Sequence, residues 1–153
     1  MAIAAELVLA PHQGTQLQVM QDTLRILSQG DQTNAAYEMF ELTGPLNSGP
    51  PPHFHPWCET YYILEGTVEV LVGEEMVQTV PGSSVTIPSN MVHTYRIASD
   101  TARFLVTTST TAASRFFQDL HQASSQGAYS LDDTIAIASR HQVTLSIPLG
   151  TGS

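Results

Sequence analysis

Between residues 17 and 110, hydrophobic residues occur in short runs rather than in long periodic stretches. The runs are rich in valine, isoleucine, threonine, tyrosine and phenylalanine, and glycine, proline, asparagine and serine separate them. This pattern is typical of β-strands joined by tight turns. Most connections span only a few residues, as antiparallel pairing requires. The predicted strands cover residues 23–28, 35–43, 60–72, 76–80, 84–88, 92–98 and 102–109.

The pattern changes after residue 110, where hydrophobic residues recur at helical spacing. We expect one helix within residues 111–125, packed as a lid against the β body through one apolar side. A second helix is predicted to begin at Ser130, because this side chain can cap it and Asp133 follows three residues later. The side chains predicted to be buried are Phe116, Phe117 and Leu120 in the first helix and Leu131, Ile135 and Ala138 in the second. Residues 144–148 could add a last short strand.

Length and composition are those of a small globular protein. With 153 residues, 42% of them hydrophobic and 12% charged, the chain can bury one sizeable core and lacks the charge fraction of a disordered chain. We therefore predict a single all-β domain over residues 1–153, with a barrel over about 17–110 and a C-terminal helical extension over about 111–142. The sole cysteine, Cys58, cannot form an internal disulfide, which favours a reducing, cytoplasmic setting and a buried or half-buried loop thiol.

The charge balance excludes several classes of partner. Fourteen acidic residues stand against five arginines and no lysine, for a net charge of -9. A chain this acidic can hardly assemble the cationic patch that nucleic acids or anionic membranes require. Residues 1–11 are apolar but lack a basic start and are short for a membrane span, so we interpret them as mature protein. Phosphate or polycarboxylate substrates would also lack partners, which favours a neutral or aromatic molecule bearing a hydroxyl or enol.

Two segments carry residue types that bind metals. His53 and His55 are two residues apart, so on an extended strand both rings project from one face, with α-carbons about 6.6 Å apart. Glu59 lies about 13 Å further along a straight strand, so it joins them only if the chain bends. Pro56 is where a strand would be interrupted. His93 follows a predicted turn in the second segment, and three neutral imidazoles with one carboxylate suit a divalent first-row metal.

The spacing of these residues resembles the two motifs of the cupin superfamily. The first motif is HxHxxxE, which starts at His53 and leads to Gly66, and the second carries Gly82, Pro88 and His93. The GPPPHFH opening of the first motif is also similar to cupins described as quercetin dioxygenase-like. The resemblance implies a double-stranded β-helix, or jelly-roll, barrel followed by one or two C-terminal helices. The metal ligands that it implies are His53, His55, Glu59 and His93.

The same resemblance implies a metal-dependent enzyme, whose divalent ion could be Fe, Mn, Ni, Co, Cu or Zn. We expect a quercetinase-like dioxygenase that binds a small hydroxyl or enol substrate beside dioxygen, with Glu59 as both ligand and catalytic base. Two alternatives remain: a non-catalytic small-molecule-binding or regulatory module, and a cupin isomerase or decarboxylase. As small cupins resemble one another in pairing through sheet edges, we also expect a homodimer.

Strand parity indicates which neighbours of the predicted ligands face the barrel interior. Residues two and four positions beyond Glu59 and His93 share their parity and should face inward, either as core or as cavity wall. Arg96 has the opposite parity and should point outward. The candidates for the substrate pocket are Tyr61, Ile63, Tyr95 and Ile97, with Phe104 or Val106 and Met39 or Phe40 as further wall positions. His12, His121 and His141 are not expected to be ligands, because they lack neighbours of ligand type or sit near a helix end.

Overall fold

The computed structural model of the protein describes residues 7–127 and 130–146, and the strands within them form two antiparallel sheets. The strands are β1 (Gln16–Val19), β2 (Asp22–Ser28), β3 (Glu38–Pro45), β4 (His53–Phe54), β5 (Glu59–Glu65), β6 (Val68–Val72), β7 (Glu75–Thr79), β8 (Ser84–Ile87), β9 (His93–Ile97), β10 (Thr101–Thr108) and β11 (Thr144–Leu145). The larger sheet has the order β1-β2-β3-β10-β5-β8, and the smaller sheet has the order β11-β4-β9-β6-β7. The chain passes repeatedly from one sheet to the other, as in a jelly roll, and the all-β prediction is confirmed.

Both sheets send alternate side chains into one hydrophobic core. In β10 every second side chain is buried, and Phe104 there is completely inaccessible to solvent. The intervening Arg103 faces outward and forms ion pairs with Glu41 and Glu65. Full burial of an aliphatic or aromatic side chain contributes about 1.5–3 kcal/mol, so this alternation supplies much of the stability. The largest fully buried apolar side chains are Phe40, Phe104, Ile63, Ile87 and Ile97.

One predicted strand is wrong in its extent. Residues 60–72 were expected to form a single strand, but the structure divides them between β5 and β6, which belong to different sheets. The break is at Gly66, whose φ of 81° is left-handed. A Cβ there would lie 2.3 Å from the carbonyl oxygen of Thr101, so only glycine fits this crossing. The four-residue strand β1 was also missed, although its sequence alternates polar and apolar residues.

Two helices follow the sheets, α1 (Ala113–Ser125) and α2 (Leu131–Arg140). The predicted cap of α2 is confirmed: the Asp133 backbone N–H donates to Ser130 Oγ at 3.1 Å, and the Ser130 N–H donates to Asp133 Oδ2 at 2.9 Å. The predicted buried stripe of α2 is confirmed at Ala138, which is buried, and wrong at Leu131 and Ile135, which are exposed. The short helix has two adjacent faces with similar apolar content, and both include Ala138. The face that packs comprises Thr134, Ile137 and Ala138. Neither α1 nor α2, the helices of the described residues, is long and apolar enough to cross a membrane.

A buried carboxylate attaches α1 to the larger sheet. Glu38 is 1% exposed and accepts hydrogen bonds from the backbone N–H of Gly30 at 3.0 Å and of Ser114 at 2.9 Å. The hydroxyl of Ser114 also donates to it at 2.7 Å. Phe117 of α1 packs edge-on against Phe40 of β3, with ring centroids 5.2 Å apart. The helix is therefore held by a charge near its N-terminus, which the helix dipole favours, and by aromatic packing.

Candidate metal centre

The folding of the chain between the sheets brings the two histidine-bearing segments together. His53 of β4 pairs directly with His93 of β9 in the smaller sheet, whereas Glu59 begins β5 of the larger sheet. His55 lies in the connection between these strands, where the backbone carbonyl of His55 accepts a hydrogen bond from Asn90 N–H at 2.7 Å. Asn90 has a left-handed φ of 64°, as its turn requires. Antiparallel pairing and this turn explain why residues forty apart in sequence meet.

Three imidazole rings lie close enough together to bind one metal ion. One ring nitrogen from each of His53, His55 and His93 lies within 4.8 Å of the other two. His55 and His93 are buried, and His53 is half-buried. The Glu59 carboxylate approaches two of these rings, with Oε1 3.4 Å from His55 Nε2 and Oε2 3.2 Å from His93 Nε2. The structure thus brings all four predicted ligands together, with the three histidines as the tightest group.

Backbone carbonyls orient all three rings in the same way. Each Nδ1 lies at hydrogen-bond distance from a carbonyl oxygen, which can only accept, so Nδ1 must carry the proton. In a neutral ring, a proton on Nδ1 leaves the Nε2 lone pair free for a metal. The hydrogen bond from Nδ1 to the carbonyl oxygen fixes the direction of the ring. The three contacts are His53 to Pro51 O at 2.9 Å, His55 to Trp57 O at 3.0 Å and His93 to Met91 O at 2.8 Å.

The surroundings of the Nε2 atoms indicate whether a metal ion fits this site. Nε2 of His55 and Nε2 of His93 are buried and have no hydrogen-bond partner within the described residues. A buried polar atom without a partner costs about 1–3 kcal/mol, so a cation that both lone pairs can coordinate would remove the penalty. The nitrogen and oxygen donors are those that divalent first-row metals accept. The residues present therefore fit a metal ion of this kind.

The electrostatics of the site keep it in the metal-binding protonation state. Burial would raise the pKa of the Glu59 carboxyl, but the adjacent rings of His55 and His93 outweigh it and hold that pKa well below its usual range. Burial lowers the pKa of His53 from its usual 6.5 to about 4, and the neighbouring His93 contributes to this decrease. At neutral pH Glu59 is ionised and His53 is neutral. These are the forms that coordinate metals.

The site borders a cavity of about 80 Å³ between the barrel and the two helices. His53 and Glu59 line it on the barrel side, and Phe116 and Phe117 of α1 line it on the helical side. Of the predicted pocket residues, Tyr61 and Tyr95 contribute to the wall, as does Val106. Ile63, Ile97 and Phe104 are fully buried core residues outside the lining, since the space next to them is filled by packing.

Two residues of the site region were missed in the sequence. Trp57 is buried and its indole stacks on the His55 ring, with centroids 4.1 Å apart and planes inclined by 10°. Asp22 is 3% exposed, lines the cavity and accepts a hydrogen bond from the Tyr95 hydroxyl. Nothing in the local pattern around a single aspartate marks it as buried.

The prediction for Cys58 is wrong, because its side chain is exposed beside Ser89.

Trp57 should contribute to metal affinity by holding the His55 ring. We expect Trp57→Leu to weaken binding of a divalent metal about tenfold, because residues that orient a ligand typically contribute this much or more. Trp57→Phe keeps an aromatic plane against His55 and should stay within about threefold of the wild type. Competition titration against a coloured chelator measures both variants. Equal affinities for Trp57→Leu and the wild type would contradict a positioning role.

Comparisons with known proteins agree with the fold. Residues 42–108, which include all four predicted ligands, match the cupin domain family. The matched region is less than half of the chain, and in this region, as in its jelly roll, the chain is similar to cupin domains. The quercetin 2,3-dioxygenase of Bacillus subtilis (strain 168) is 29% identical over 97 residues, which are 63% of this chain. The chain spans only 29% of the length of that curated relative.

Solved structures show the same fold in proteins with different descriptions. The polyketide cyclase RemF from Streptomyces resistomycificus has a TM-score of 0.58 and 23% identity, covering 66% of this chain and 77% of its own. A predicted oxalate decarboxylase from Thermotoga maritima has a TM-score of 0.61 and 18% identity, covering 67% of this chain and 98% of its own. At these identities the likeness concerns architecture alone, since one fold hosts many activities.

Proposed function

We propose that the protein is a metal-dependent dioxygenase that acts on a compact small molecule with a hydroxyl or enol group. The observation that carries this proposal is that Nε2 of His55 and Nε2 of His93 are buried without a hydrogen-bond partner. Both lie next to the ionised carboxylate of Glu59, which lines an apolar cavity. The similarity to a quercetin 2,3-dioxygenase supports the choice of reaction class. The cavity, at about 80 Å³, is well below the 300–1,000 Å³ typical of drug-sized ligands. We therefore propose a substrate smaller than a flavonol.

The ligand residues can divide the work of binding and proton transfer. A bound divalent ion would supply Lewis acidity that lowers the pKa of a substrate hydroxyl or enol. Glu59 is a weak base because its own pKa is depressed, so it accepts a proton only from a substrate that is acidified in this way. The hydroxyl of Tyr61 donates to Glu59 Oε2 at 3.2 Å, which orients the carboxylate at the cavity wall. The aromatic rings of α1 exclude water from the same space.

Oxygen consumption by metal-replete protein tests the proposal. Protein purified without added metal would be analysed for its elements, then loaded separately with Fe, Mn, Ni, Co, Cu or Zn. Each form would be supplied with catechol and with β-diketones and enediols that are no larger than catechol. We expect uptake of oxygen with at least one pair of metal and substrate. If no loaded form consumes oxygen with any of them, the dioxygenase proposal fails, and retention of a ligand without turnover would favour the binding module.

Glu59→Gln should lower the oxygen-uptake rate about a hundredfold or more at equal metal occupancy. The amide keeps the shape of the side chain but cannot accept a proton, and positioned general bases contribute about 10²–10⁴-fold. Glu65→Gln is the matched control, because Glu65 lies at the exposed end of the same strand. Rates normalised to bound metal separate loss of the base from loss of the ion. An undiminished rate for Glu59→Gln would exclude Glu59 as the base.

A further inference from the structure

The cavity wall meets the solvent at one side chain. Met20 lines the cavity and is 44% exposed. All other described residues of the lining are buried or half-buried, including the phenylalanines of α1 on the helical side. The wall is therefore thinnest at Met20, and this residue marks the mouth of the cavity.

Met20 occupies a backbone position that does not favour methionine. It belongs to the two-residue turn between β1 and β2, where Val19 pairs with Asp22. Its φ of 57° is left-handed, and hairpin turns of this length favour glycine or asparagine at such a position because a Cβ crowds the backbone there. The turn gains nothing from methionine. Strain of this kind is typical of positions whose side chain serves a site.

The backbone on both sides of Met20 is held in place. The Gln18 backbone N–H donates to Nδ1 of His121 in α1 at 2.8 Å, and the Gln18 side-chain amide donates to the Met20 carbonyl oxygen at 3.2 Å. On the other side, Asp22 is buried and accepts a hydrogen bond from the Tyr95 hydroxyl. The Met20 side chain, in contrast, is partly uncovered and has three rotatable bonds. It can rotate without any movement of the hairpin.

The helical side of the mouth is fastened as well. Glu38 holds the N-terminal end of α1 on the larger sheet. Asp119 of α1 lies 2.6 Å from Nε2 of His141, the residue that ends α2, and the His141 ring packs against Phe116 with centroids 5.7 Å apart. Separating the helices from the barrel would break these contacts. Rotation of one methionine side chain leaves all of them intact.

We propose that Met20 is the gate of the cavity, and that rotation of its side chain, rather than movement of α1 and α2, admits small molecules. The inference rests on the proposed function only in taking the cavity as the substrate cavity. It adds a residue that sets how fast a molecule reaches the proposed metal centre, since His53 and Glu59 line the same cavity. Met20 controls access in this scheme and is separate from the metal ligands.

Exchange of xenon tests the gate without depending on a metal. Dry apolar cavities bind xenon, and xenon NMR on the full chain with chelator present measures the rate of exchange between free and bound atoms. Met20→Ala keeps the Cβ and the strain of the turn but removes the rest of the side chain. We expect it to raise the exchange rate about tenfold, because the wild-type side chain must leave its rotamer and its packing contacts for each passage. Met20→Phe, which is bulkier and stiffer, should exchange more slowly than the wild type.

The affinity for xenon separates a gate from a change in the cavity itself. A gate slows entry and exit alike, so Met20→Ala should change the affinity less than about threefold. Met76→Ala is the matched control, because Met76 is an exposed methionine of β7 outside the lining and should keep the wild-type rate. Asp119→Asn weakens the contact between the helices. It should also exchange at the wild-type rate, whereas entry by separation of the helices would make it faster.

Several outcomes would overturn the inference. They are a wild-type exchange rate in folded Met20→Ala, faster exchange in Asp119→Asn than in Met20→Ala, and no bound xenon in either the wild type or Met20→Ala. Bound xenon is detected by shifts of the methyl signals of Val106 and Leu120 in the lining. If Met20→Ala does not fold, Met20→Gly replaces it, because glycine relieves the left-handed φ.

The inference and the proposed function fail separately. Metal content and oxygen uptake are measured on the same variants. Xenon exchange that depends on Met20 in protein that binds no metal would refute the enzyme and keep the gate. An active enzyme whose xenon exchange does not respond to Met20 would do the reverse.

Discussion

Replacing His93 with alanine should weaken binding of a divalent metal about a hundredfold or more. His93 is completely inaccessible to solvent, and its free Nε2 points into the group formed with His53 and His55. Loss of a residue that only orients a ligand already costs about 10–100-fold, so loss of a ligand should cost at least the upper figure. Elemental analysis after dialysis and a competition titration measure the effect. His53→Ala, at a half-buried position, is a second variant with less effect on packing.

A histidine outside the cluster provides the control for this experiment. His12 is exposed and has a left-handed φ of 68°, which asparagine tolerates better than alanine. His12→Asn should therefore bind metal like the wild type. Unfolding measured by circular dichroism separates loss of a ligand from loss of the fold. Wild-type metal content in folded His93→Ala or His53→Ala would refute the proposed metal centre.

Glu38→Ala should lower the free energy of unfolding by about 3–5 kcal/mol. The substitution removes a buried acceptor that serves three donors, from Gly30 and Ser114, and each stranded buried donor costs about 1–3 kcal/mol unless water reaches it. Such a loss is a large part of the 5–15 kcal/mol that stabilises a typical domain. Urea unfolding followed by tryptophan fluorescence measures it.

Glu65→Ala is the surface counterpart of this variant. Glu65 is exposed and pairs with Arg103 at the protein surface, where ion pairs contribute little. Its midpoint of unfolding should stay close to that of the wild type, and Glu38→Gln should fall between the two because it retains one acceptor oxygen. Similar midpoints for Glu38→Ala and Glu65→Ala would mean that the carboxylate does not hold α1.

The fold was largely readable from the sequence because strand signals are local. The predicted turn before His93 and the cap at Ser130 are confirmed, since each depends on the chemistry of one or two side chains. The errors arose where tertiary packing decides between similar local options. Gly66 could continue a strand or end it, and only the approach of Thr101 excludes the first option. For α2, the choice of the stripe with Ile137 depends on its position against the rest of the fold.

The convergence of four residues at the candidate site was predictable from the sequence, but the surroundings of these residues were not. Spacing and residue type single out the three histidines and Glu59, because metal binding restricts both. Whether an inward-facing residue is core or wall depends on how far along the barrel it lies, which parity does not give. Ile63 and Tyr61 share parity, yet only Tyr61 reaches the cavity. Asp22 gave no signal because its partner Tyr95 lies 73 positions away.

The cavity wall combines residues of the β-strands and their connections with residues of the C-terminal stretch. Residues 53–93 hold the four predicted ligands, whereas much of the opposite wall comes from residues 113–145, including α1 and α2. Variation in the helical stretch can alter which molecules are admitted while the coordinating atoms stay in place. Grafting this stretch from a related jelly roll would be a direct way to exchange selectivity without rebuilding the chemistry. Divergence within such a lineage would then be fastest in the helices and slowest in the strands beneath them.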